Sequence, residues 1–465
     1  MTIWVPNLEA YSGSRYRAIA AAIGDAINAA TLQPGEKLPP QRHLADALGV
    51  TIGTVTRGYA EAERHGWVTA KVGSGTYVMG RHEATTFQMP HVETENDDAH
   101  IDLSLSLPPP HPLRQQGLAS ALAVVGQSQE ALNRGVSYQP AQGSTAQRQV
   151  FSEWLATLGF DLSADELLLT QGGQHGVQLS LQGLLRPGEL VAADALTYPG
   201  LMSAARQSHL KLVGIPFDDD GMSVEALKAQ CERQPPRLLY LTPDQNNPTG
   251  VTLSLERREA IVALAREYDV WLLEDAVQYL PASERLTPLY HLAPERTLFV
   301  FSTAKVLAGG LRIGVLRTPQ ALLERLTQAL RAQNWMVPPL LVDVACHWVT
   351  QASAREVLAW QNEELKARQA LAADVLTGFT LQARKGGSNL WLMLPEGFRA
   401  VAFSEQLKSH GVLVTSAEPF CVGNAVAPQA IRLCLGAARD RDTLRRALLT
   451  LRDCLQAGPI VSPTL

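Results

Sequence analysis

The sequence is poor in cysteine, and its few cysteines have none of the spacings that bind metals. They number five among 465 residues, with no Cys-x-x-Cys pair, at Cys231, Cys346, Cys421, Cys434 and Cys454. An odd, scattered set argues against both a disulfide framework and a zinc site. We therefore expect reduced thiols in a cytoplasmic protein, with Cys421 and Cys434 packed as small apolar side chains.

Long apolar runs and a strong charge imbalance are also missing. No uncharged apolar stretch approaches membrane-spanning length, and the first ten residues lack the basic and apolar regions of a signal peptide. The net charge of −5 argues against non-specific nucleic-acid binding by the whole molecule, although a small DNA-reading module remains compatible with it. A hydrophobic content of 46% over 465 residues predicts a globular protein with two or three domains.

The first eighty residues predict three helices followed by a short hairpin. Apolar spacing and turn residues place the helices near 16–30, 38–48 and 51–65, and the strands at 67–71 and 76–79. This order is typical of a winged helix-turn-helix. Polar and basic groups on its exposed side are candidates for DNA contact, namely Arg42, Thr51, Thr54, Thr56, Arg57 and Lys71. The alternative is a small helical cap with a solvated polar face.

A resemblance to a known family covers the same region. The run PGEKLPPQRHLADALGVTIGTVTRGYAEAERHGWVTAKVGSGTYV resembles the winged-helix domain of the GntR family of bacterial transcription regulators. The resemblance implies a double-stranded DNA operator as partner. It implies DNA contacts from the matching positions Arg42, Thr51, Thr54, Thr56 and Arg57, and from the wing tip around Gly73 and Gly75.

A polar, proline-containing stretch separates this module from the rest. We predict a winged-helix domain over residues 1–80, a linker over 81–115 and a large domain over 116–465, with a small subdomain from about 340 onward. In the large domain, helical and strand segments alternate, which predicts an α/β fold with a largely parallel sheet. The strand candidates are 167–170, 190–193, 212–215, 238–241, 270–273 and 298–301.

One lysine in this domain follows a strand candidate and is bracketed by apolar runs. In FVFSTAKVLAGGLRIGVL, Lys305 lies between Ser302 and Arg312. Desolvation lowers the pKa of a lysine and frees its amine for imine formation, while a hydroxyl and a guanidinium suit a phosphate. Together these groups point to pyridoxal phosphate (PLP). A surface lysine in a glycine-rich loop is the alternative.

Four other loops place polar residues at predicted strand ends, where ligands collect in such folds. A helix start after Gly172-Gly173-Gln174 favours phosphate binding, and Tyr198 could stack on a planar cofactor. Asn247 could donate to a phenolate oxygen, and Asp275 could keep a pyridine nitrogen protonated. For each loop, an ordinary packed or solvated loop is the alternative reading.

The succession of these motifs resembles the fold type I PLP-dependent enzymes of the aspartate aminotransferase family. The resemblance implies that Lys305 forms the internal aldimine with PLP and that Asp275 faces the pyridine nitrogen. It implies that Asn247 contacts the ring hydroxyl, that Tyr198 stacks on the ring, and that the phosphate is held by Gly173, Gln174, Ser302 and Arg312. Arg432, in the segment Ala430-Ile431-Arg432-Leu433, would bind an effector or substrate carboxylate.

A GntR-type module joined to such a domain resembles the MocR subfamily of bacterial regulators. The overall expectation is a multidomain protein, with a mainly helical winged helix-turn-helix followed by an α/β PLP-dependent transferase domain and a small C-terminal α+β subdomain. The resemblance implies a homodimer that regulates transcription and senses an amine, an amino acid or a B6 vitamer through aldimine chemistry at Lys305. The alternatives are an active aminotransferase with an accessory DNA-binding module and a DNA-binding scaffold with an empty large domain.

The sequence departs from the family pattern at one position after the pyridine-facing aspartate. A tyrosine usually follows that aspartate by two or three residues, but Val277 and Gln278 stand there and the nearest tyrosine is Tyr279. The departure favours the regulator over an efficient transaminase. It leaves the residues predicted to bind the cofactor unchanged.

Overall fold

The computed structural model of the chain describes residues 4–11, 13–29, 31–33, 35–64, 67–71, 75–78, 100–423 and 426–459. Two compact units divide the chain, Met1–Gln88 and Met89–Leu465. Within the described residues, no helix combines the length and apolarity needed to cross a membrane. All five cysteines lie in the described ranges and carry free thiols.

The smaller unit has three helices and a hairpin, in the predicted order. Its helices α1 to α3 and strands β1 and β2 are Arg15–Asn28, Gln41–Leu48, Ile52–Arg64, Val68–Lys71 and Gly75–Val78. Gly49 ends α2 in the left-handed conformation (φ 63°) that glycine adopts most readily, and β1 pairs antiparallel with β2. The apolar faces of the helices share a core with Ile19, Ile23, Leu44, Val55 and Tyr59. This arrangement confirms the winged helix-turn-helix.

The larger unit alternates helices and strands. Its helices α4 to α16 are Pro112–Gln127, Gln129–Gly135, Thr145–Thr157, Gly173–Leu184, Pro199–Gln207, Val224–Arg233, Leu255–Glu267, Leu289–Leu292, Gln320–Asn334, Pro339–Val349, Ala352–Val375, Ala400–Ser409 and Arg441–Ala457. Its strands β3 to β17 are Ile101–Asp102, Leu167–Thr170, Leu190–Asp194, Lys211–Ile215, Phe217–Asp218, Gly221–Met222, Leu238–Leu241, Trp271–Asp275, Thr297–Ser302, Gly314–Arg317, Leu381–Ala383, Asn389–Met393, Val412–Leu413, Thr415–Ser416 and Ala430–Cys434.

A seven-stranded sheet forms the centre of this unit, in the order β4-β12-β11-β10-β9-β5-β6. Strand β12 runs antiparallel to both of its neighbours, and the other neighbouring pairs are parallel. The carboxyl ends of the parallel strands therefore meet at one edge, where ligands bind in such sheets. The six predicted strands all lie in this sheet, which confirms the largely parallel α/β fold.

A four-stranded sheet, β13-β14-β17-β16, forms the small subdomain. Its antiparallel register places Trp391 opposite Arg432 and Asn389 opposite Cys434. Side chains directly opposite each other share a face, so Arg432 lies on the same face as these three residues. The alternating residues line the other face and enter an apolar core, and they include Leu390, Leu392, Ile431 and Leu433.

The end of the predicted linker is part of the larger unit. Residues 79–99 fall in the part of the chain that is not described, but β3 pairs in parallel with β15 and α4 begins at Pro112. Leu103 is fully buried in the core of the small subdomain. The prolines at 108–110 and the lack of periodicity predicted that residues 81–115 form an extended connector. In the structure, the pairing of β3 with β15 and the buried side chain of Leu103 attach residues 101–103 to the larger unit.

Candidate cofactor and ligand site

Lys305 lies where strand β11 ends at the carboxyl edge of the large sheet. The strand passes into a single 3-10 turn, Thr303–Lys305, which Ser302 caps by accepting from the Ala304 amide (3.2 Å). The Lys305 ammonium donates to the backbone carbonyl oxygen of Ser106. The pKa of Lys305 is lowered to about 8, mainly by burial and also by the charges of Arg432 and Arg312, while Cys434 and Asp275 oppose the shift. A fraction of this amine is therefore unprotonated near neutral pH.

Asp275 ends strand β10, which neighbours the lysine strand. Its carboxylate is 8% exposed and accepts from the Tyr240 hydroxyl (2.7 Å) and from the Val277 amide (2.9 Å). Burial raises the pKa of Asp275, while these two donors and the positive charge of Lys305 oppose the rise. The two donors fix the orientation of the buried Asp275 carboxylate, so its negative charge has a defined position near Lys305.

The turn between β4 and α7 has the form of an anion cradle. Gly172 precedes the helix with φ 82°, and a Cβ at this glycine would lie 2.5 Å from Nη2 of Arg312. Arg312 itself adopts the left-handed region (φ 55°), and its Nη2 donates to the Gln171 carbonyl (3.3 Å). The start of α7 and this guanidinium thus adjoin the same turn, and helix N-termini and arginine both suit a phosphate.

Two further side chains fix that turn. His175 accepts from the Gln171 amide through Nδ1 (2.9 Å), and its Nε2 pairs with Gln333 (2.8 Å). Gln174 donates to the Gly200 carbonyl (3.0 Å), which leaves its buried Oε1 without a protein partner. Gly173 must stay small, because a Cβ there would lie 2.6 Å from the Val277 side chain.

Arg432 reaches the same region from the small subdomain. Its Nη1 donates to Oδ1 of Asn247 (2.9 Å) and its Nη2 to the Ser104 carbonyl (2.5 Å). Its guanidinium lies 4.8 Å from the Phe420 ring centre, and its buried Nε has no protein partner. A fork with one buried donor left open fits the carboxylate role predicted for Arg432.

Tyr198 precedes helix α8 and lies near these charges. Burial raises the pKa of its hydroxyl, Asp275 raises it further, and Arg312 and Arg432 oppose the rise. The structure thus brings the predicted cofactor residues to one edge of the sheet, and the set comprises Gly173, Gln174, Tyr198, Asn247, Asp275, Ser302, Lys305 and Arg312. Their contacts with a cofactor remain a prediction.

Sequence reasoning missed three groups that complete the site. Tyr240 lies inside the apolar strand Leu238–Leu241, where the sequence pattern indicates a core residue. The carbonyls of Ser104 and Ser106 gave no signal, because a backbone group contacts the site whatever its side chain. The tyrosine that the family places two or three residues after the aspartate is absent, because Val277 and Gln278 stand there. Tyr279, the nearest tyrosine, packs edge-on against Phe301, with the ring centres 6.3 Å apart.

Comparison with known proteins identifies the larger unit. Residues 115–451 match the family model of aminotransferase class I and II. The chain belongs to this family. In the N-terminal unit, residues 15–78 match the bacterial regulatory proteins of the gntR family. These matches confirm a GntR-type module joined to a fold type I aminotransferase-like domain, the arrangement of the MocR subfamily.

The relatives include both regulators and enzymes. An uncharacterized HTH-type transcriptional regulator of Bacillus subtilis, YdeF, is 29% identical over 97% of this chain and 96% of its own length. A 2-aminoadipate transaminase of Thermus thermophilus is 26% identical over 75% of this chain and 88% of its own length. The kynurenine aminotransferase structure of Pyrococcus horikoshii superposes with a TM-score of 0.70 at 23% identity, covering 78% of this chain and 92% of that chain. This last likeness concerns the fold alone.

This family of aminotransferases binds PLP, and the site's residues fit that cofactor. The turn at Gly172 brings the Arg312 guanidinium close against the start of α7, where a side chain larger than that of glycine does not fit, and the buried Oε1 of Gln174 has no protein donor. Asp275 provides the buried carboxylate that suits a protonated ring nitrogen. Lys305 is the residue that would hold PLP covalently, and the cofactor would supply an electron sink there.

Most of the predicted DNA contacts that the structure describes lie on α2, on or beside α3, and at the start of β2. Arg42, Thr51 and Arg57 are exposed, and the hydroxyls of Thr51 and Thr54 lie 2.9 Å apart. Thr56 donates to Gln41 (2.7 Å) and so ties α3 to α2. Gly75 follows the wing tip with φ 121°. Gly73 and the side chain of Lys71 fall outside the described part of the chain.

The lowered pKa of Lys305 predicts the pH dependence of cofactor attachment. Only the neutral amine attacks an aldehyde, so the initial rate of covalent PLP attachment should rise with pH and level off above about 8. Stopped-flow absorbance from pH 6 to 10 measures this rate. A lysine-containing peptide is the control, and its rate should keep rising towards about 10. A protein rate that follows the peptide's would contradict desolvation of Lys305.

Proposed function

We propose that this chain is a PLP-binding transcription regulator. It binds an operator through α3 and the wing, and it senses a small molecule at Lys305. The main support is that one chain carries a GntR-type helix with exposed polar groups and a lysine of lowered pKa beside a buried aspartate. The regulator YdeF matches along nearly the whole chain, which also supports this function.

The ligand is an amine, an amino acid or a B6 vitamer. The ligand's amine would replace the Lys305 amine on the aldehyde carbon of the cofactor, and this exchange would free Lys305. Arg432 would bind a carboxylate where the ligand has one. Binding changes operator affinity only if the ligand binds two states of the protein with different free energies. Regulation therefore depends on a contact that differs between the ligand-free and ligand-bound states.

The protein acts in the cytoplasm as a homodimer under this proposal. An exposed apolar cluster supports the dimer, because Val136, Tyr138 and Trp335 are 86%, 79% and 57% exposed, and the rings of Tyr138 and Trp335 lie 5.6 Å apart. Large exposed apolar side chains at one place mark an interaction surface. A second copy that covers this surface would place the subunit interface beside α5 and α12.

Replacing Arg57 by alanine should weaken operator binding by about tenfold or more, since an arginine that contacts DNA contributes on the order of 1–3 kcal/mol. Fluorescence anisotropy with the chain's own upstream intergenic DNA measures the affinity, and PLP absorbance should not change. Arg15→Ala is the matched control, because it removes the same charge from an exposed site at the start of α1. Equal losses in the two variants would contradict a DNA contact by Arg57.

Transamination is the second candidate function. It is favoured by the buried Nε of Arg432, which has no protein partner and could donate to a substrate carboxylate. The missing tyrosine argues against rapid turnover, because Val277 and Gln278 stand in its place. A steady-state assay with a panel of amino donors and one keto acid separates the two functions. Multiple turnover without operator binding would favour the enzyme.

A further inference from the structure

The start of helix α3 presents a large apolar side chain to solvent. Ile52 is the first residue of this helix and is 48% exposed. In the described part of the smaller unit, Val5 is the other large apolar side chain with comparable exposure. The face of α3 that enters the core of this unit contains Val55 and Tyr59 and leaves Ile52 outside. Packing within the unit therefore does not account for an isoleucine at this position.

Gly53 follows Ile52 on the exposed side of α3, and the fold does not require a glycine there. A Cβ added at Gly53 would meet only the Thr51 hydroxyl, at 3.9 Å. Gly58 differs, because a Cβ there would lie 2.8 Å from Cγ2 of Ile19, where α1 packs against α3. Glycine inside a helix is less stable than alanine. Its presence at position 53 therefore points to an external partner that approaches the helix closely.

Ile52 and Gly53 belong to one exposed face of α3. Thr56 lies four residues after Ile52, and Arg57 lies four residues after Gly53, so each pair shares a side of the helix. All four residues are exposed. In a helix-turn-helix, the N-terminal residues of the recognition helix contact base edges in the major groove. Ile52 and Gly53 occupy that part of α3.

The chemistry of isoleucine selects one kind of base edge. Its side chain neither donates nor accepts hydrogen bonds, whereas most groups in the major groove are donors or acceptors. Placing Ile52 against those groups would remove them from water without replacing their hydrogen bonds. The 5-methyl group of thymine is the apolar exception, and its contact with Ile52 would remove apolar surface from water on both sides.

We propose that Ile52 contacts the 5-methyl group of a thymine in the operator and that Gly53 lets the DNA approach the start of α3 closely. The two residues thus specify an A·T pair at one position of the bound site. This inference rests on the proposed function, which assigns operator binding to α3 and the wing. It adds the base that α3 recognises.

Deoxyuridine tests the thymine contact, because it pairs as thymidine does and lacks only the 5-methyl group. Footprinting of the full-length protein on the chain's own upstream intergenic DNA locates the bound segment. Duplexes of this segment then carry deoxyuridine in place of one thymidine at a time, and fluorescence anisotropy measures their affinities. At one position the replacement should weaken wild-type binding about fourfold, the effect expected for one buried methyl group.

Ile52→Ala should lose the sensitivity to that methyl group. It should bind the unmodified duplex at least about fourfold more weakly than wild type, and it should bind the thymidine and deoxyuridine duplexes equally. Ile52→Val keeps a branched apolar side chain and should keep the thymine preference. Val5→Ala removes an exposed apolar side chain outside α3 and should bind every duplex as wild type does.

Two results would overturn the thymine contact. One is wild-type protein that binds the unmodified duplex and all the deoxyuridine duplexes equally well. The other is an Ile52→Ala variant that keeps the full preference for thymidine at the sensitive position, because the methyl group would then be recognised by another residue.

Gly53→Ala tests the close approach of the DNA. It should weaken operator binding on the order of tenfold, as loss of one base contact does. The midpoint of thermal unfolding should stay the same or rise, because the added methyl group has room and alanine favours a helix. Gly126→Ala in α4 is the matched control, since its added Cβ also meets nothing within 4 Å. Unchanged operator affinity in Gly53→Ala, or a lowered unfolding midpoint that explains its loss, would overturn the role of Gly53.

The outcomes also separate this inference from the function on which it rests. Wild-type protein that binds no segment of the intergenic DNA refutes the proposed function and the thymine contact together. Wild-type protein that binds a segment, is weakened by Arg57→Ala and shows no effect of deoxyuridine refutes the thymine contact alone.

Discussion

Replacing Lys305 by alanine is expected to abolish covalent attachment of PLP. The amine is the group at this sheet edge with a pKa lowered to about 8, and it lies beside the buried Asp275 carboxylate that would face the ring. Borohydride reduction followed by intact-mass measurement should find a cofactor adduct on wild-type protein and none on the variant. The fold should persist, because the ammonium donates only to one backbone carbonyl, that of Ser106.

Lys408→Ala is the control for this experiment. Lys408 is exposed near the end of α15, so its loss removes a lysine of ordinary environment. An adduct that survives in Lys305→Ala but is lost in Lys408→Ala would exclude Lys305 from the role. Operator binding measured in parallel shows whether the two units work separately, since the smaller unit has its own core.

The strands of the large sheet could be predicted because each is a short, continuous apolar run bounded by turn residues. Leu167–Thr170 and Leu238–Leu241 match their predicted limits. The pairing of β3 with β15 had no such signal, because two-residue strands are too short to show periodicity. The prolines after Leu107 were therefore the strongest local signal, and they favoured a linker over residues 81–115.

Site residues could be predicted where the residue type itself indicates the chemistry. They could not be predicted where the role depends on which residues the fold brings together. Lys305 and Asp275 stood out as charges at the ends of apolar strands. Tyr240 did not, because a tyrosine in an apolar strand is typical of a core. The contact between Arg432 and Asn247 joins residues 185 positions apart, and only the packing of the small subdomain on the large sheet brings them together.

Replacing Asp275 by asparagine should lower the affinity for PLP on the order of 100-fold while keeping the fold. Asparagine preserves the volume and can still accept from the Val277 amide, but it removes the negative charge that would pair with a protonated ring nitrogen. Losing a charge-assisted hydrogen bond costs about 2–3 kcal/mol. Titration of apoprotein with PLP, followed by absorbance, measures the affinity and reports any change in ring protonation as a shifted band.

Tyr240→Phe separates the charge of Asp275 from its orientation. The phenylalanine keeps the ring but removes the hydroxyl that donates to Asp275 (2.7 Å), so the carboxylate keeps its charge and loses one of two donors. Loss of a single such contact predicts about a tenfold weaker affinity, with the absorbance band unshifted. If Asp275→Asn bound PLP as tightly as Tyr240→Phe, with the same spectrum, then Asp275 would act only as a hydrogen-bond acceptor. Its negative charge would then have no part in holding the ring.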